Sequence, residues 1–330
     1  MRLRLPKADE FAAFTVVRLD DQGRLLADGV PVAPAHVRKQ LKSQLRVPPL
    51  ATDIFVFVHG WQHDQETASA AARRLFSAVW TIRQSQETRY PALRGFLPYF
   101  VSVQWPSRSS PFPRGYRRIR DRAHAMTTHG HASHVLAALL GYLEQTRQRW
   151  RTGDTLRTST GKYLHCVGHS FGCRMLGEAI KTAAQPPEDP TLGWPFPRNF
   201  PFAVDTFLGF QMAAPPDIFT GRFLPLVEHK APISGPIVLT FSPYDRALST
   251  WHRFPEGMPG LGAVGAVGAS TIKLHPLDSD YTADEFTKLT NVNAKWLYRR
   301  GSFSMQGAHS DFWHPESIHL LLSLASLSRQ

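Results

Sequence analysis

Residues 163–183 read YLHCVGHSFGCRMLGEAIKTA. Tyr163 to Val167 is a short, unbroken run of strand formers, and the residues after Cys173 carry the apolar spacing of a helix. Between them lies Gly168-His169-Ser170-Phe171-Gly172. A serine placed where a strand passes straight into a helix sits on a very tight turn, and such a turn needs neighbours without bulky side chains. Gly168 and Gly172 meet that need. The turn is expected to lift Ser170 Oγ above the sheet, exposed to a ligand. The helix would begin beside it, so that the Phe171 N–H and the helix dipole point to where negative charge would form.

Working outward, Ile54 to Val58 (IFVFV) reads as a strand buried on both faces, and it runs directly into His59-Gly60-Trp61-Gln62-His63. A glycine at the end of an early strand lets the chain curl, which makes the Trp61 N–H the candidate second donor beside Phe171. The plainer alternative is a tight strand-ending turn. Further strand-like runs are Tyr99 to Val103, Ala203 to Phe210 and Ile237 to Phe241, with helical patterns at Glu66 to Arg83, His131 to Trp150 and Pro315 to Leu327. This alternation predicts an α/β chain with a mostly parallel, doubly wound sheet. At the start, Phe14 to Leu19 and Arg24 to Val30 flank Asp-Asp-Gln-Gly, which suits an antiparallel edge hairpin. Residues 1–330 are expected to form one domain, with 1–50 as the hairpin and lead-in. Pro106 to Gly115, 185–202 and 255–268 are expected as loops or insertions, the GAVGAVGA stretch in the last being close-packed or mobile.

A serine hydroxyl is a weak nucleophile at neutral pH and needs a base, which in turn needs a group to orient it. Asp245 follows the strand-like run Ile237 to Phe241 and is the leading orienter, although an aspartate there could equally cap the following Ala-Leu turn. Asp217 is the main rival, with Asp278 and Asp280 behind it. The leading base is His309, in the late segment Gly-Ala-His-Ser-Asp-Phe-Trp. Among other histidines, His252, His275, His314 and His319 also lie downstream, and His165 reads as a hydrogen-bonded core residue.

Taken as a set, VHGW (Val58 to Trp61), WPS (Trp105 to Ser107), GHSFG, DRAL (Asp245 to Leu248) and GAHSDFW resemble the α/β-hydrolase superfamily, and within it bacterial serine hydrolases. The resemblance runs from about Asp53 to the C-terminus, and departs from the pattern at Ala308, inserted between glycine and His309. It implies the α/β-hydrolase fold and hydrolysis of an ester-like bond by Ser170, His309 and Asp245. Trp61 and Phe171 would form the oxyanion hole, and no cofactor or metal would take part. A small-molecule ester or a lipid would be the substrate.

Composition bounds the alternatives. Of 330 residues 42% are hydrophobic and 19% charged, which is ordinary for a globular enzyme. The net charge of +12 favours encounters with anions, but no RRM-like or zinc-finger pattern accompanies it and no nucleic-acid partner is expected. Arg108, Arg114, Arg117, Arg118, Arg120 and Arg122 could form a landing patch for an anionic membrane, which suits a lipase or phospholipase, or simply a solvated face. His124, His129, His131 and His134 lack the spacing of a zinc site. Cys166 and Cys173 are expected to be buried and unpaired. The basic N-terminus has no apolar signal stretch and no spanning segment is seen, so a cytoplasmic location is expected. A hydrolase-like scaffold that binds without catalysing is the reading from another class.

Overall fold

The computed structural model describes residues 13–147, 161–183, 203–300 and 306–329. Ten strands form one sheet among these residues: β1 (Phe14–Leu19), β2 (Leu25–Ala27), β3 (Val30–Pro31), β4 (Asp53–Val58), β5 (Pro98–Gln104), β6 (Tyr163–His169), β7 (Thr206–Phe210), β8 (Ile237–Phe241), β9 (Ser270–Lys273) and β10 (Leu289–Asn293). Their order is β3-β2-β1-β5-β4-β6-β7-β8-β10-β9. Only β1–β2 and β2–β3 are antiparallel; every pairing from β1 to β9 is parallel. The N-terminal hairpin therefore stands at the edge, as its turn chemistry predicts. Asp20 Oδ1 accepts from the Gln22 and Arg24 N–H groups, and Gly23 has φ +79°. Val30 does not extend the second strand but starts a third.

The longer helices are α1 (Val37–Gln44), α2 (Gln65–Ser85), α3 (Pro113–Thr128), α4 (Ala132–Thr146) and α5 (Phe171–Thr182); then come the single turns α6 (Leu224–Val227), α7 (Arg253–Glu256) and α8 (Leu261–Val264), and finally α9 (Pro315–Leu327). Successive residues of a strand face opposite sides, and β4 shows the two layers directly. Ile54, Val56 and Val58 pack with α3, α4 and α5, whereas Phe55 and Phe57 pack with α2 and α9. A strand buried on both faces has no polar side, which is why IFVFV is unbroken.

After β4 the chain places β5 on one flank, and β6 on the other. This reversal brings the loops leaving β4 and β6 side by side, the position where doubly wound sheets open a crevice. Parallel, layered α/β architecture is thus present. The stretch 255–268 differs from the loop expected of it: it contains α8 and part of α7. Gly262 N–H donates to the Met212 carbonyl, and a Cβ at 262 would come within 2.5 Å of Gln211 backbone. Its small residues let it pack closely under the site. The segment 185–202 lies outside the described residues. Both cysteines are buried and free. Among the described residues no helix is long and apolar enough to cross a membrane.

Candidate functional site

Ser170 is the hinge between β6 and α5, with φ +54° and ψ −122°. A residue with a Cβ reaches that backbone conformation only under strain, and the surroundings enforce it. Its N–H donates to the Phe210 carbonyl. On one side of the turn a Cβ at Gly168 would meet Cys173 Cα at 2.6 Å; on the other a Cβ at Gly172 would meet the Val58 carbonyl oxygen at 2.1 Å. The two glycines are required by different partners, the following helix and the neighbouring strand.

The β4 loop packs onto the serine itself. A Cβ at Gly60 would lie 2.7 Å from both Ser170 Cβ and His169 Nδ1. Trp-Pro-Ser, which follows β5, clamps this loop. The Trp105 indole donates to the His59 carbonyl at 2.8 Å and Ser107 Oγ to the Gly60 carbonyl at 2.7 Å. Trp105 N–H donates to His59 Nε2, so Nδ1 carries the proton and donates to the Gly60 carbonyl at 2.9 Å. Burial, with the nearby charge of His63, pushes the His59 pKa down to about 3, which keeps this ring neutral. Across a trans peptide the N–H points opposite to the C=O. With the Gly60 carbonyl held by Ser107 and His59, the Trp61 N–H faces away from that clamp. Neither the Trp61 nor the Phe171 N–H donates to a described group.

Asp245, His309 and Ser170 form a continuous hydrogen-bonded chain. His309 Nε2 is 2.9 Å from Ser170 Oγ, and His309 Nδ1 is 2.8 Å from Asp245 Oδ2. Asp245 makes contacts that match both of its sequence readings. Oδ1 accepts from the Leu248 N–H at 3.0 Å, capping the turn, while Oδ2 faces the imidazole. Ala308, the extra residue before His309, donates its N–H to the Tyr244 carbonyl at 2.9 Å and so docks the histidine loop against the aspartate loop. Such a chain can carry a proton from the hydroxyl to the imidazole and hold the resulting cation against a carboxylate.

The other candidates do not join this chain. Asp217 is exposed, Asp278 is exposed, and Asp280 pairs with Arg89. His252 Nδ1 lies 3.2 Å from the Met258 carbonyl; His275 pairs with Glu285, His314 with Asp311, and His319 contacts Tyr90. His165 bridges Asp53 and Thr206 inside the sheet. Among the described residues no three His, Cys, Asp or Glu side chains gather as a metal site.

Three features carry no local sequence signal. Gln211, just after β7 with φ +46°, donates Nε2 to Asp245 Oδ2 at 2.9 Å and to the Ala308 carbonyl at 2.8 Å. His169 Nε2 donates to the His309 carbonyl at 2.8 Å, and burial followed by the proximity of His309 holds its pKa well below the ordinary histidine value. The third overturns an expectation: Ser170 is not exposed but has 0% of its surface accessible. The Gly60–Trp61 loop closes against it, and Trp61 in turn packs edge-on against Tyr116 and Trp251, with Tyr116 also against Phe171. Long-range aromatic packing of this kind cannot be read from the turn alone.

No protein-family model matches this chain, and comparison with curated proteins gives no match either.

Proposed function

We propose that the protein is a serine hydrolase of the α/β-hydrolase type that cleaves carboxylic esters through an acyl-enzyme. The observation that carries this reading is the Ser170–His309–Asp245 chain, with both bonds under 3 Å, on a strained strand-to-helix turn at the reversal point of the sheet. In the proposed reaction His309 takes the Ser170 proton as Oγ attacks the acyl carbon. Asp245 stabilises the imidazolium, and His309 then returns the proton to the leaving alcohol. Water repeats the sequence on the acyl-enzyme. The Trp61 and Phe171 N–H groups, which have no described acceptor, would bind the oxyanion, with the α5 dipole adding to Phe171. No step calls for a cofactor or metal.

A fluorophosphonate probe tests the nucleophile directly. Wild-type protein should label at Ser170 and hydrolyse p-nitrophenyl esters, and Ser170→Ala should do neither while staying folded. Labelling at another serine, or wild-type rates in the variant, would refute the assignment.

One surface feature favours lipid over soluble esters. Phe112 and Phe254 are 52% and 73% exposed, beside the exposed Arg114, Arg117, Arg118 and Arg253. Arg120 joins the two segments through Glu256. Apolar residues among arginines suit an anionic bilayer. Of the six arginines in the stretch after Trp-Pro-Ser, however, Arg108, Arg120 and Arg122 are tied to Asp64, Glu256 and the Pro106 carbonyl. Co-sedimentation with anionic and neutral vesicles at low and high salt separates the two readings.

A further inference from the structure

The seam between α3 and α5 starts at the serine. On α5, Phe171, Arg174 and Glu178 share one face at three- and four-residue spacing; on α3, Tyr116, Arg120 and His124 do the same. The two faces meet. The Tyr116 ring lies 5.3 Å from that of Phe171, and Arg174 Nη2 lies 3.3 Å from His124 Nδ1 one turn further out.

Among the described residues, two donors in this seam have no acceptor. Tyr116 is fully buried, and its hydroxyl makes no hydrogen bond. Arg174 Nε is also buried without a partner, and Arg174 forms no ion pair with a described carboxylate. The nearby carboxylates are already used: Glu178 pairs with Arg222, Glu256 with Arg120, and Asp245 with His309. Glu178 and Glu256 are thereby matched, and Arg174 keeps a donor that none of these carboxylates meets. Burial lowers its pKa, and the attraction of Glu178 and Glu256 offsets only part of that. Leaving a buried donor unmet is costly, and one adjacent to a reaction centre is commonly met by the ligand.

We propose that this seam is a carboxylate subsite: the preferred ester carries a carboxylate a short chain away from the scissile carbonyl, received by Arg174 with Tyr116 as the second donor. This rests on the hydrolase reading for the reaction but not for the binding. Ser170 and Arg174 are four residues apart, a backbone rise of about 6 Å along the helix axis, which sets the scale of a short dicarboxylic acid. A guanidinium and a hydroxyl give such a group charge-assisted hydrogen bonds, which a neutral ester forfeits.

Monomethyl adipate and dimethyl adipate serve as the test pair. In wild-type protein kcat/KM should favour the monoester by about tenfold or more, and in Arg174→Gln that ratio should fall close to one. Tyr116→Phe should lower kcat/KM for the monoester severalfold. Melting temperatures of both variants check that they fold. A ratio near one in wild type, or an unchanged ratio in Arg174→Gln, overturns the proposal. Calorimetry with Ser170→Ala gives a readout that needs no turnover: monomethyl adipate should bind, and adding Arg174→Gln should weaken it about tenfold. Arg174-dependent binding without any hydrolysis or Ser170 labelling would refute the proposed reaction and leave the subsite standing. Binding equal with and without Arg174 would remove the subsite whatever the activity.

Discussion

His169 donates from Nε2 to the carbonyl of His309, so the residue before the serine holds the backbone of the histidine that the serine faces. The turn that presents Ser170 and the loop that presents His309 are thereby registered to one another. His169→Gln should keep the fold and lower kcat up to about tenfold with little change in KM, since a neutral hydrogen bond of this kind contributes roughly 1 kcal/mol. Steady-state kinetics on one p-nitrophenyl ester decide it, and a change confined to KM would show that His169 contacts substrate instead.

Asp245 accepts from His309, Gln211 and Leu248, whereas Asp217 is exposed. Asp245→Asn should reduce kcat by about 10²- to 10⁴-fold by presenting the wrong imidazole tautomer, and Asp217→Asn should leave it unchanged. Gln211→Leu removes one donor from Asp245 and one from the Ala308 carbonyl. An intermediate loss, well short of that in Asp245→Asn, is expected. Equal losses in Asp217→Asn and Asp245→Asn would hand the orienting role elsewhere.

What could be read from sequence was what local sterics and spacing dictate. Gly168 and Gly172 mark a turn that nothing larger could occupy, and Asp245 and His309 stand in the chain order that the α/β-hydrolase resemblance implies. Strands β9 and β10 escaped because their periodicity is hidden by polar residues. Thr290 and Asn291 are buried in β10, and Asn291 is satisfied by both the N–H and the carbonyl of Ala266. Such a strand shows no apolar run. His169 and Gln211 escaped for another reason: their partners lie 140 and 34 residues away. The cover over Ser170 likewise joins Trp61, Tyr116 and Trp251 from three separate segments.

The backbone at Ser170 stores strain that a glycine would not feel. Ser170→Gly should therefore unfold at higher denaturant than Ser170→Ala, by about 1 kcal/mol. Urea unfolding of the pair measures this. Equal midpoints would mean that the positive φ is not a source of strain.

Stability should also depend on pH through the two neutral histidines that brace the site. Burial, then the charge of His63, holds His59 down to about 3, and burial, then His309, holds His169 well below its ordinary value. In the unfolded chain both would titrate near 6.5. Below that pH the unfolded state binds more protons than the folded one, so stability is fully present above about pH 6.5. It then falls with acidification, down to about pH 3 for His59. Each group contributes a slope of about 1.4 kcal/mol per pH unit where it is charged unfolded and neutral folded. His63, His124, His252 and His319 are lowered too, by burial first, and act in the same direction. Urea unfolding at pH 7.5, 6.5, 5.5 and 4.5 should give a near-level segment followed by a steep fall. His169→Gln should make the fall shallower by about the slope of one histidine. A level profile down to pH 5, or a slope that His169→Gln leaves untouched, would mean that His169 is protonated in the fold, and would reassign the donor that holds the His309 loop to a charged ring.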